Sequence, residues 1–213
     1  MTFTDRPADR PAGRRLALAA AGTGLLVLLT ACGGGTSSTA AGTGAPSGAP
    51  AAATASPRPS TSFNEADVTF AQMMIPHHEQ AVEMAELAEK RATDPEVKTL
   101  AAEIKAAQDP EIATMTGWLS AWGKPATPEG GHGGHDMPGM MTAEDMAKLQ
   151  KAKGAEFDRM FAELMIAHHK GAVEMARTEQ AQGAAPEAKA LAGEIVTAQE
   201  AEIGQLQKIL DRL

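Results

Sequence analysis

From Phe70 onward, apolar residues recur every three or four positions. Wound at about 100° per residue, Phe70, Met73, Met74, His77, Ala81, Met84 and Ala88 fall on one stripe with an imidazole at its centre. Phe161, Leu164, Met165, His168, Ala172 and Met175 form the same stripe again. This periodicity predicts long amphipathic helices and no strands. Each helix places a histidine where a buried seam is expected.

The two stripes belong to an internal repeat. The segment Phe70 to Ala85 matches Phe161 to Ala176 without a gap. The register continues through Pro95 to Ile104 against Pro186 to Ile195, then Gln108 against Gln199 and Ile112 against Ile203. A duplicated helix pair, four helices in all, is the expected architecture. Ser62 with Glu65 is the capping box anticipated for the first helix, and Thr142 with Asp145 the acidic equivalent for the third. Asp94-Pro95-Glu96 supplies an N-cap, a first-turn proline and a dipole-favoured acid for the second, and Pro186-Glu187 opens the fourth. Pro76 removes a backbone donor beside the first histidines and should bend that helix; Pro110 is a similar interruption in the second. Residues 123–141 separate the halves as a glycine- and proline-rich loop.

The front of the chain has a different pattern. Arg14 and Arg15 precede an apolar run, Leu16 to Leu29, too short for a comfortable transmembrane helix and placed like the core of a signal peptide. It ends in Leu29-Thr30-Ala31-Cys32-Gly33, which resembles a bacterial lipobox. Residues 1–31 are therefore expected to be a lipoprotein signal peptide, cut before a lipidated Cys32. The paired arginines leave the export route open between general secretion and the twin-arginine path. Residues 32–62, almost all Gly, Ala, Ser, Thr and Pro after the cysteine, cannot bury enough apolar surface to fold. They read as a tether reaching about 30 Å. This puts residues 63–213 outside the cell, held to the outer face of the membrane.

Composition narrows the chemistry. The 213-residue chain has a net charge of −8, which gives no electrostatic footprint for nucleic acid. It has 12 methionines, no tyrosine and a single cysteine. With that cysteine taken up by lipid, neither a disulfide nor a thiolate metal site can be built. All six histidines lie in the doublets His77-His78 and His168-His169 or in the loop, as His132 and His135.

Imidazole with thioether suits copper: sulfur favours Cu(I), and imidazole serves both oxidation states. Silver fits the same ligands; zinc would use the histidines and gain little from sulfur. The candidate ligands are His77, His78, Met74 and Met84 in the first repeat, and His168, His169, Met165 and Met175 in the second. His132, His135, Met137, Met140 and Met141 join them in the loop. Because imidazole must be neutral to bind, its contribution is expected to weaken below about pH 6.5.

Met74-Ile75-Pro76-His77-His78-x-x-Ala81-Val82-x-Met84-Ala85, and again His168-His169-x-x-Ala172-Val173-x-Met175-Ala176, closely resemble domain-of-unknown-function family 305 (DUF305), from about Asn64 to the C-terminus. The resemblance implies a ferritin-like four-helix bundle, and copper binding and tolerance in some exported members. It carries over the histidines and methionines of the two motifs as ligands. Two departures mark the second half: Ala167 stands in place of Pro76, and Leu164 in place of Met73 makes it poorer in sulfur. The resulting expectation is an exported binding protein that sequesters or hands on copper or silver without turnover, with no protein partner identified.

Two other readings compete. A partner-binding or structural helical module would use the methionines as core alone. A ferritin-like di-iron oxidoreductase would need Glu-x-x-His, and Met74, Ile75, Met165 and Ile166 stand where the glutamates should.

Overall fold

Asn64 starts the first helix. In the computed structural model, which describes residues 61–128 and 137–213, α1 runs from Glu65 to Arg91. Its capping box pairs Asn64 with Asp67, two residues beyond the anticipated Ser62 and Glu65. The Asn64 side chain accepts from the amides of Ala66 and Asp67, and the Asp67 carboxylate accepts from the Asn64 amide. α2 spans Pro95–Ala121 behind the Asp94 cap, as the sequence predicts. α4 spans Ala155–Gln182 and α5 Pro186–Arg212. α1 continues through Pro76 and α2 through Pro110.

The described chain is all-helical, with four long helices in two pairs and one helix the periodicity does not anticipate. α3, Ala143–Lys151, is a separate element of nine residues, and it is this helix that Thr142 and Asp145 cap. It ends at Ala152, and Gly154 turns the chain with φ of +62°, a conformation open to glycine at little cost. The long third helix of the repeat thus begins at Ala155, one residue before Glu156, which the register aligns with Glu65.

α1 packs against α2 and α4 against α5, and α1 crosses α4 between the pairs. The N-terminal half of α1 shares a buried cluster with the C-terminal part of α4, through Val68, Phe70, Met74, Ala172, Met175 and Ala176. The other half of α1 joins the start of α4, through Ala81, Met84, Ala88, Phe157, Phe161 and Met165. The two helices are therefore antiparallel, and each repeat contributes to both cores. Burying side chains such as Phe157, Phe161 and Leu206 contributes on the order of 1.5–3 kcal/mol each.

Two aspartates fix this arrangement symmetrically. Asp67 on α1 accepts from the amides of Ala184 and Ala185 at the start of α5. Asp158 on α4 accepts from the amides of Thr93 and Asp94 and from the Thr93 hydroxyl at the start of α2. Each aspartate is buried, and each ties its repeat to the other one.

Among the described residues no helix is long and apolar enough to cross a membrane. The Leu16 to Leu29 run, Cys32 with its expected lipidation, the expected tether to residue 60, and loop histidines His132 and His135 lie outside the described residues.

Candidate metal centre

Where α1 crosses α4, the rings of His77 and His168 meet, with centroids 3.7 Å apart and planes inclined by 40°. Both side chains are essentially inaccessible to solvent. The centroids of His168 and its neighbour His169 are 6.4 Å apart. The four motif methionines are buried around the crossing. Met74 and Met175 share one core cluster and Met84 and Met165 the other, so each cluster takes one thioether from each repeat. Duplication of the helix pair leads to the expectation that the two histidine stripes face each other across the core, and the antiparallel crossing does bring both motifs to one centre.

Hydrogen bonding sets the state of the imidazoles. His77 Nε2 lies 3.1 Å from the Pro138 carbonyl, which can only accept, so Nε2 carries the proton and Nδ1 keeps its lone pair. His78 Nε2 donates to Glu111 and His169 Nε2 to Glu202, each at 2.7 Å. Nδ1 of all three rings is buried without a partner, as are both ring nitrogens of His168. Ligating histidines characteristically donate their second ring N–H to a carbonyl or carboxylate, which orients the ring and raises its basicity.

Glu111 and Glu202 are absent from the ligand set read off the sequence. The repeat carries their signal: they occupy equivalent positions, each one residue before the matched Ile112 and Ile203.

Burial, reinforced by the neighbouring His78, pushes His77 down to about 3, and burial holds His168 well below the usual imidazole range. The expected loss of histidine affinity below about pH 6.5 therefore does not apply to His77, because a desolvated imidazole resists protonation.

The described end of the loop forms a strap over the centre. Met137 is buried, and Met140 and Met141 are half-buried. Gln80 holds the strap by donating to the Met141 carbonyl at 3.0 Å and accepting from the Met141 amide at 2.7 Å. At the equivalent place in α4 stands Gly171, where a Cβ would lie 1.9 Å from the Pro138 oxygen. One repeat thus grips the strap and the other makes room for it.

Among the described residues, no three His, Cys, Asp or Glu side chains form a group able to hold a metal ion. Nitrogen and oxygen alone do not complete a coordination sphere here. The remaining donors at the crossing are thioethers, a set suited to a soft ion.

A search of curated proteins found no match. Solved structures gave several. A DUF305 protein from Streptomyces coelicolor is 35% identical with a TM-score of 0.65, over 69% of this chain and 93% of that one. A DUF305 fragment from Deinococcus radiodurans is 33% identical with a TM-score of 0.65, over 70% and 98%. CopM in its Cu(II)-bound form is 38% identical with a TM-score of 0.60, over 68% and 96%. CopM also matches in Cu(I)-bound and Ag-bound forms. The family model for the domain of unknown function DUF305 matches residues 67–210, which include both histidine doublets and the aspartates that join the repeats. By that match, this chain is a member of the DUF305 family.

Proposed function

We propose that the protein binds copper, with Cu(I) favoured and Ag(I) an alternative cargo, and sequesters it or passes it on outside the cytoplasm without catalytic turnover. The observation that carries this reading is the buried set of histidines at the α1–α4 crossing. Three of them are oriented through Nε2 so that a bare Nδ1 remains, and methionines of both repeats surround the crossing. Leaving several polar nitrogens buried and unpaired costs about 1–3 kcal/mol each, an expense that a bound ion would offset. The match to CopM, solved with Cu(II), Cu(I) and Ag, supports the same choice of ion. The lipobox-like Cys32 supports attachment to the outer face of the membrane.

Competition against a Cu(I) chelator tests the reading. The wild type should outcompete the His77→Gln/His78→Gln/His168→Gln/His169→Gln variant by at least 100-fold. Met84→Leu with Met175→Leu, which nearly conserves volume, should weaken Cu(I) by about tenfold while leaving the fold intact. Equal, weak binding by wild type and the histidine variant would show the seam to be ordinary core.

A further inference from the structure

Beside the histidine pair, a cleft of about 450 Å³ opens between α1 and α4, lined by Phe70, Met73, Pro138, Met175, Thr178 and Glu179 among others. Pro138 belongs to both places: it lines the cleft, and its carbonyl accepts from His77. Glu179 is 1% exposed, and its carboxyl faces that of Asp67, with which it shares a hydrogen bond.

The duplication shows that this cleft is built. Its mirror position at the other end of the crossing has Phe157 where the cleft has Ala66, Met160 for Thr69, Leu164 for Met73, Leu87 for Thr178 and Ala88 for Glu179. Phe157 is fully buried there, with Leu87, Met160 and Leu164 packed against the same core. One end is thus filled with large apolar side chains. The other is hollowed by small and polar ones and given an extra carboxyl, with its thioether at Met73 rather than at the position matching Met160. The backbone accommodates the change too: Gly183 replaces Ala92, and a Cβ at Gly183 would stand 2.0 Å from Glu179 Oε1. At the mirror position Asp158 holds its amides with Ala88 in place of a second carboxyl, so the link between repeats does not require Glu179, and its presence on one side only points to a ligand.

We infer that the cleft is a landing site and entry port for a soft monovalent cation, Cu(I) or Ag(I), with Met73, Met175 and Glu179 as its donors and the His77–His168 pair as the destination. The destination rests on the copper reading above; the landing site does not. Burial and the facing Asp67 carboxyl push Glu179 up to about 8, so near neutrality it holds a proton that an arriving cation displaces to solvent. Glu65 and Glu174 at the rim add negative charge that raises the local cation concentration.

Silver ion alone is the probe, on the full chain. In a His77→Gln/His168→Gln background, titration and anomalous diffraction should find one Ag(I) in the cleft. Glu179→Ala with Met73→Leu, the residues found at the mirror position, should weaken it at least tenfold. With the histidines intact, filling the cleft by Ala66→Phe and Thr178→Leu should slow silver loading at least tenfold while final occupancy of the pair is unchanged. An empty cleft, or an unchanged loading rate after filling, overturns the port even where the histidines fill. Silver held in the cleft with none reaching the wild-type pair refutes the copper reading and the port's destination together.

Discussion

A carbonyl or a carboxylate at Nε2 turns each of His77, His78 and His169 into a lone pair directed from Nδ1, and at His77 burial keeps that pair from being lost to protons. For His77 the folded value near 3 lies far below the ordinary 6.5. Between those pH values the unfolded chain holds more protons at this position than the folded one, so stability falls as pH drops through the window. The unfolding free energy of the wild-type apo protein should therefore drop more steeply from pH 6.5 toward 3 than that of His77→Gln, by up to about 1.4 kcal/mol per pH unit. Glu179, raised to about 8, contributes the opposite slope above about pH 4.5, but it does so in both proteins. Urea titrations at several pH values measure the difference, and parallel profiles would refute it. The histidines and methionines themselves are legible in the sequence because the motif occurs twice in register. Glu111 and Glu202 are legible only through the same register, since a glutamate on a helix otherwise reads as a solvated face.

For the helices, the stripes and prolines define α1, α2, α4 and α5, whereas the break between α3 and α4 goes unread. A glycine in a helical pattern costs only about 1 kcal/mol, so Gly154 does not by itself argue for a stop. The stronger signal is the alignment of Glu156 with Glu65, which starts the repeat's helix late and leaves residues 143–151 as an insertion. Nor does local sequence reveal what Asp67 and Asp158 do, because their partners are amides more than 60 residues away. Asp158→Asn keeps the shape but gives up charge-assisted acceptance from Thr93 and Asp94. It should cost roughly 1.5–3 kcal/mol of stability, seen as a lower thermal midpoint, with Cu(I) affinity changed less than threefold. A midpoint within a degree of the wild type would mean that the α2 start is held by something else.

Across the whole molecule, the expected lipid anchor determines where the metal is met. Cys32→Ser should shift the protein from the membrane fraction to the soluble one and leave copper affinity of the purified protein unaltered, because the tether offers no other membrane-binding feature. Membrane retention by the variant, with no lipid found on the wild type, would count against the anchor.

The mirror positions at the two ends of the crossing bear on ancestry as well as transport. Two identical single-repeat chains, meeting about a true two-fold axis, would be obliged to carry two clefts or none, and two straps competing for one crossing. Gln80 opposite Gly171, Glu179 opposite Ala88 and Ala66 opposite Phe157 are pairs that such a homodimer cannot encode. Carrying both halves in one chain lifts that constraint and leaves each copy free to take a different task. It is what makes a vectorial path, open at one end and sealed at the other, available to a duplicated fold.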